Sequence, residues 1–529
     1  MLAIITFLGF TLLVGVISYY FTKDTDESTS DGYFLGGRSL TAGVIAGSLL
    51  LTNLSTEQIV GLNGAAYSEG ILVMAWETLA AIAMVVTAIF LLPKYLKGGI
   101  STVPEFLEDR YSKTTKTIAS VLFLSGYMIV LLPIVLYSGS LAIITMFNVA
   151  EGLGVSHMTA LTLCVWGIGI IGSIYAIFGG LKAVAVSDTV NAIGLLIGGL
   201  LIPYFGLKYI GDGSIGVGIS TLMKEAPEKF NVIGNSKSSI PFATIFTGMM
   251  LVQLFYWGTN QAIIQRALAA KNLKEGQKGL LLAAFIKILG PLVVVLPGII
   301  AFHIFKGELE IADQAYPKLV STVLPVALLG FFAAVLFGAI LSSFNSALNS
   351  SVTLFGLDIY KEYFNKEASE KDVVKKGQMF GIGLAIFSML IAPLIAKAPS
   401  GLFGYLQEVN GCYSIPILTI IVVGYLTKRV PAIGANLAII LGSVLYAISQ
   451  FIIKPYVIGE ENYPHFLHVM AILFVINVCI MLIIGMIKPR ATDYELSYSE
   501  DVDITPYKYL YPVGASIIAI VIYSYIYFS

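Results

Sequence analysis

Charged side chains are scarce in this chain. They make up 12% of its 529 residues, against 57% hydrophobic, and the mean hydropathy is +0.86. A soluble domain carries about 25% charged residues. A large water-exposed domain is therefore excluded, and the chain reads as a polytopic membrane protein whose first partner is the lipid bilayer. The net charge of −1 offers no basic surface to nucleic acid. Cysteine is equally sparse: Cys164, Cys412 and Cys479 all lie in apolar segments without disulfide or metal spacing, and read as small packing residues. His157, His303, His465 and His468 lie near the ends of apolar segments and form no ligand set. With no nucleophile or metal set, the chain is not expected to be an enzyme. With no Walker A sequence, its energy source is expected to be an ion gradient. The segment from Leu2 to Phe21 lacks a basic leading region and a small-residue cleavage site, so it reads as a retained span.

Apolar sequence is what the chain has in abundance. A helical span needs about 20 apolar residues. Such stretches fall at 2–21, 41–65, 72–93, 117–148, 157–177, 183–207, 242–265, 279–304, 324–356, 377–396, 403–425, 433–453, 465–487 and 509–528. That is fourteen, two of them long enough to tilt or bend. Fifty-two glycines suit close helix packing. Basic residues crowd one alternate set of loops, from Lys94, Lys97, Arg110, Lys113 and Lys116 to Lys361, Lys366, Lys371, Lys375 and Lys376. The positive-inside rule puts these loops in the cytoplasm. Both termini are then expected outside, in a bacterial inner (plasma) membrane.

A few apolar segments carry polar groups that lipid would not tolerate: Asn53, Glu57, Gln58, Glu77, Gln253, Asn260, Lys287, Ser342, Ser343 and Gln407. Such groups are costly in hydrocarbon and face a cavity or a pathway. Two segments are interrupted alike, at Thr52-Asn53-Leu54-Ser55-Thr56-Glu57-Gln58 and at Gly258-Thr259-Asn260-Gln261. They lie five spans apart and would enter from opposite sides. Matched polar breaks in two halves point to a midplane binding site between inverted repeats, and unwound backbone there can offer carbonyl oxygens to a cation.

Glu77 and Lys287 both fall mid-span, where each needs a partner or a polar cavity. They are expected either to point hydrogen-bonding heads at a hydroxylated ligand or to pin two helices as an ion pair, and the two are compatible. Gln253 and Tyr256 are three apart; Gln58 and Leu62, and Phe403 and Gln407, are four apart. Each spacing aims an amide and an apolar or aromatic side chain at one surface. An uncharged polyol such as a sugar wants this mixture, amides for its hydroxyls and rings for its C–H face. Among 29 Tyr and 30 Phe most rings are core; Tyr256 and Phe403 stand out through these neighbours. Ala339, Ser342 and Ser343 share one helix face, and hydroxyls with a loosened carbonyl suit a hard cation, although serines in such helices also bond back to their own turn. Asp188 stands at the inner start of a span, as a helix cap or a cation relay; the residues alone favour the cap.

At these residues the chain resembles the solute:sodium symporter family, and within it the sodium/glucose and sodium/galactose cotransporters. The resemblance rests on Asp31-Gly-Tyr-Phe-Leu-Gly-Gly-Arg-Ser39, on Tyr256-Trp-Gly-Thr-Asn-Gln261 with Gln265-Arg266 and Ala269-Ala-Lys271, and on Asp358-Ile-Tyr-Lys-Glu-Tyr363. It runs from the first span to about residue 430. It implies an all-α fold with a LeuT-like core: a leading helix (1–22), a five-helix repeat (41–207), a second, inverted one (242–426), each with its first helix broken, and three trailing helices (427–529). It implies a Na⁺ site formed by Leu51, Leu54, Ala339, Ser342 and Ser343, with Asp188 on the Na⁺ release path. It implies a sugar site at Gln58, Glu77, Gln253, Lys287 and Gln407, with Tyr256 as inner gate and Leu62 and Phe403 as outer gate. Three departures reshape that site. Gln253 stands where the family's galactose binders have Asn, Ala80 where they have a hydroxyl, and Trp76 where they have Tyr.

The function expected is Na⁺-coupled transport of a monosaccharide by alternating access. The same fold carrying another small solute, a sugar acid, amino acid, nucleoside or inositol, is the alternative, with a channel or sensor behind it. A carboxylate would be poorly served by Glu77 unless Lys287 were free.

Overall fold

The computed structural model describes residues 2–23, 28–397 and 402–529, and those residues form helices joined by short loops with no named strand. Met1 of the expected leading helix and residues 398–401 of the expected second repeat lie outside them. Among the described residues, twelve helical runs are long and apolar enough to cross a membrane. Length alone does not return fourteen. Thr56–Lys97 counts as one run of 42 residues although it holds half of one span and all of the next. The pieces Gly248–Gly258 and Gln261–Leu268 are each too short to count.

Both expected interruptions are present. The first segment runs as Ala42–Asn53 and resumes as Thr56–Glu69, with Leu54 at φ −76°, ψ 56° and Ser55 extended between them. The second runs as Gly248–Gly258 and resumes as Gln261–Leu268 after Thr259 and an extended Asn260. Asn260 caps the second piece by accepting from Ala262 N–H at 3.0 Å, and the Tyr127 hydroxyl donates to its side chain at 2.7 Å. A pair of backbone bonds shows how the two segments are related. Leu40, at the start of the first, donates to Ala269 O at 3.1 Å; Lys271, at the end of the second, donates to Leu40 O at 3.0 Å. The start of one broken helix and the end of the other thus share one side, and the two run in opposite directions, as inverted repeats require.

The helices around this pair are bent at identifiable places. His157–Ile210 is divided at Gly180, whose φ of +57° is open to glycine at little cost. The Tyr33 hydroxyl, from the motif at 31–39, donates to Ile177 O at 2.6 Å beside that corner. Asp188 does not cap this helix: it lies eight residues past the bend with helix on both sides, and its carboxylate accepts from Ser48 Oγ at 2.7 Å. The cap expected from residues alone is replaced by a tie between two helices. Wide turns at Thr87–Leu91 and Tyr127–Leu131 each precede a proline, Pro93 and Pro133, whose missing N–H leaves the helical ladder incomplete.

Val326–Thr353 packs against His157–Ile210, Ala42–Asn53 and the leading helix Leu2–Thr22. Leu402–Leu426, Ala432–Ile448 and Phe466–Ile487 pack as a group, while Leu510–Tyr527 lies on Leu273–Val294 and Ala75–Val86. A short loop helix, Val103–Arg110, opens with a capping box of Thr102 and Glu105. Its Val103 N–H donates to Gln261 Oε1 at 2.8 Å, and Arg110 donates to the carbonyls of Gly424, Thr427 and Val430. It braces the second broken helix against Leu402–Leu426.

Candidate solute and cation sites

The break at Leu54 to Thr56 frees side chains on both of its flanks to face a cavity. This cavity, about 50 Å³, is lined by Asn53, Glu57 and Gln58 from the first break, Trp76, Val252, Gln253, Tyr256 and Asn260 from the helices opposite, and Phe403, Leu406, Gln407, Asn410 and Tyr413 from one face of Leu402–Leu426. Of the expected site residues, Gln58, Gln253, Tyr256, Phe403 and Gln407 meet here. Glu57 Oε2 and Asn53 Oδ1 are buried without hydrogen-bond partners, and unsatisfied acceptors in a cavity call for a donor. Glu57, Asn53 and Asn260 stand out in the sequence as misplaced polar groups without an assigned role. Asn410 and Tyr413 carry a fainter signal, three and six residues after Gln407 on the same helix.

Glu77 and Lys287 stand behind the cavity and do not line it. Lys287 Nζ lies 2.7 Å from each carboxylate oxygen of Glu77, with the two side chains 1% and 0% exposed. Gln58 Nε2 donates to Glu77 Oε1, so the cavity-facing amide is held by the ion pair. Room for the carboxylate depends on Gly290, where an added Cβ would strike Glu77 Oε2. Gln253 is engaged at both ends: its Nε2 donates to Trp76 O at 2.9 Å and its Oε1 accepts from Trp257 Nε1 at 3.1 Å.

A larger vestibule of about 410 Å³ adjoins the cavity and is lined in part by Gly61, Leu62, Glu69 and His465. Trp76 and Phe403 line both spaces. Their rings meet edge to face, 5.2 Å between centroids at 87°, and form the partition. Gly61 lets Phe403 approach, since a Cβ there would lie 2.6 Å from Phe403 Cβ. Of the expected gate residues, Phe403 lies at this partition and Leu62 lines the vestibule side. Ala80 lines neither space and is buried in the core.

Of the expected cation residues, Ser343 reaches the first break, and Leu51, Leu54, Ala339 and Ser342 are buried. Leu51, Leu54 and Ala339 belong to one buried cluster, and Ser343 Oγ donates to Thr52 O at 3.0 Å, joining Val326–Thr353 to the break. Ending the helical ladder at Leu54 leaves the Leu51 and Leu54 carbonyls at the interruption, where a cation can use them. Ser342 Oγ is buried and faces the Asp188 carboxylate. An all-oxygen set of carbonyls and hydroxyls fits a small hard cation. A network unforeseen in the sequence surrounds it. Arg266 donates to Ser48 at 3.3 Å and to Ser346, Ser346 and Thr52 hydroxyls are 3.0 Å apart, and Ser48 and Thr52 both reach Asp188.

Inverted broken helices around a buried polar cavity define a secondary transporter. The chain belongs to the sodium:solute symporter family, whose model matches residues 33–442. It is an integral membrane transporter coupled to Na⁺, not an enzyme. It is 49% identical over 507 residues to the uncharacterized symporter YidK of Escherichia coli, covering 96% of this chain and 87% of that protein. It is 35% identical over 449 residues to the sodium/glucose cotransporter of Vibrio parahaemolyticus, covering 80% of each. It is 29% identical to sodium/myo-inositol cotransporter 2 of Bos taurus, covering 89% of this chain and 74% of that one. Among solved structures, a Na⁺-coupled sialic acid symporter matches with a TM-score of 0.75 at 21% identity, covering 92% of this chain and 97% of that one. Mhp1, a nucleobase-cation-symport-1 transporter, matches at 0.56 and 14% identity with the same coverage. These two speak to the LeuT-like fold alone.

Proposed function

We propose that the protein imports a monosaccharide of the galactose or glucose type together with Na⁺, across a bacterial inner membrane and with both termini external. The observation that carries the sugar reading is the chemistry of the cavity. It combines the amides of Gln58, Gln407 and Asn410, the free acceptors Glu57 and Asn53, and the rings of Tyr256 and Trp76. Amides and acceptors suit hydroxyls, and rings suit the C–H face of a sugar. Lys287 is spent on both oxygens of Glu77, so among the described residues lining the cavity a carboxylate solute would meet Glu57 and no free cation. That disfavours sugar acids and amino acids. A cyclic polyol such as inositol is the second reading. It fits the same neutral chemistry, and a relative named for myo-inositol shares 29% identity.

In this reading Gln58, Gln407 and the Glu77–Lys287 pair behind Gln58 hold the solute, Gln253 shapes its cavity, Tyr256 closes the inner side, and Leu62 with Phe403 close the outer side. Na⁺ takes the oxygens of Leu51, Leu54, Ala339, Ser342 and Ser343. Binding there ties Val326–Thr353 to the break that also carries Asn53 and Gln58, so the cation orders part of the solute cavity. That shared break is the coupling element, and Asp188 lies on the route by which Na⁺ leaves. The core divides into repeats at 41–207 and 242–426, with a leading helix at 1–22 and trailing helices in 427–529. Uptake of labelled sugars, inositol, sugar acids and amino acids into proteoliposomes tests the reading. A neutral hexose accumulated only with a Na⁺ gradient supports it; accumulation of an acid or amino acid instead refutes it.

A further inference from the structure

We propose that Gln253 is the positioning residue of the outer partition rather than a ligand for one sugar hydroxyl. This rests on the reading of the cavity as the solute site. Gln253 is 4% exposed, and both ends of its amide are taken, by the Trp76 carbonyl at 2.9 Å and by Trp257 Nε1 at 3.1 Å. Trp257 is fully buried and has Lys287 Nζ 5.6 Å from its ring centre. Lys287 pairs with Glu77, which follows Trp76 in the chain. The contacts close a ring, Trp76 to Gln253 to Trp257 to Lys287 to Glu77, across three helices: Ala75–Val86, Gly248–Gly258 and Leu273–Val294.

Two members of the ring, Gln253 and Trp76, face the solute cavity. Trp76 lines both the cavity and the vestibule, and its indole meets Phe403 edge to face. Fixing the Trp76 backbone fixes where that indole closes the cavity. The length of Gln253 is what allows the bridge. Asparagine is shorter by one C–C bond, about 1.5 Å, and cannot reach the Trp76 carbonyl and the Trp257 indole together. The Gln at 253 and the Trp at 76 therefore act as one device, a large lid held by an amide long enough to hold it.

The test uses the full-length protein in proteoliposomes with Gln253→Asn and Gln253→Met. Methionine fills the space without either hydrogen bond, which guards against an unfolded Asn variant. Competition by a series of monodeoxy hexoses is measured for each. A lid acts on the whole solute, so both variants should weaken every sugar by a similar factor, about tenfold for the loss of the bridge, with the Na⁺ dependence unchanged. A single deoxy sugar that binds wild type and variants alike would identify a direct bond to the missing hydroxyl and overturn the proposal. A second readout needs no solute. The chain has three tryptophans, so Trp166→Phe leaves emission from Trp76 and Trp257 alone. In that background either Gln253 variant should shift the emission and raise iodide quenching through Trp76. Unchanged emission and quenching would overturn the lid even if no sugar were transported, an outcome that would instead count against the sugar reading.

Discussion

Lys287 Nζ stands 2.7 Å from both carboxylate oxygens of Glu77, and Gln58, the cavity amide, donates to the same carboxylate. The charges are compensated where no water reaches them, and the polar group presented to the solute is neutral. Removing one partner strands the other charge, which costs about 3–5 kcal/mol in buried pairs. Glu77→Gln and Lys287→Met should each lower the melting temperature and abolish uptake. The joint variant Glu77→Gln/Lys287→Gln should recover most of the stability and none of the transport. Recovery of transport as well would make the pair purely structural.

Gly290 offers a test that leaves every charge in place. A methyl group there would strike Glu77 Oε2. Gly290→Ala should displace the carboxylate from Lys287 and cut uptake about as far as Glu77→Gln does. Wild-type uptake would mean that the pair has room to shift without consequence.

At the proposed cation site, Ser343 links Val326–Thr353 to the break through Thr52 O. Ser343→Ala should raise the Na⁺ concentration for half-maximal uptake about tenfold, the scale of one lost bond to a charged group. Uptake should also respond to voltage, since one charge is worth about 2.3 kcal/mol per 100 mV. An unaltered Na⁺ dependence in the variant would remove Ser343 from the site.

Asp188 and Arg266 do not touch; Ser48 bonds to both. Asp188→Ala should cost about 1–3 kcal/mol through the Ser48 and Thr52 hydroxyls that lose their acceptor. Asp188→Asn should keep the fold and the solute affinity while slowing Na⁺-driven uptake. Equal rates in Asp188→Asn and wild type would take Asp188 off the release path.

Much of this was legible because lipid punishes polarity. Asn53, Glu57, Gln58, Glu77, Gln253, Lys287 and Gln407 are conspicuous in an apolar background, and all but Glu77 and Lys287 line the cavity. The paired breaks were legible for the same reason, since backbone unwound within a membrane needs compensating polar groups nearby. What could not be read was which polar group is spent on which. Spacing puts Gln253 and Tyr256 on one face, but only the packed structure shows the Gln253 amide consumed by Trp76 and Trp257. The Asp188 cap failed because sequence showed a span beginning near 183, whereas Gly180 turns the chain and leaves Asp188 inside a helix. The Arg266 network depends on four segments meeting, a long-range fact that no local pattern holds.

In the proposed mechanism Na⁺ and the solute are coupled through the break at 51–58. The direct measurement is accumulation of labelled galactose and glucose in proteoliposomes, with and without an inward Na⁺ gradient, for wild type, Gln407→Ala and Ser343→Ala. The prediction is accumulation only with the gradient, lost in Gln407→Ala at any Na⁺ concentration and restored in Ser343→Ala by raising Na⁺. Accumulation that ignores the gradient, or survives Gln407→Ala unchanged, would contradict it.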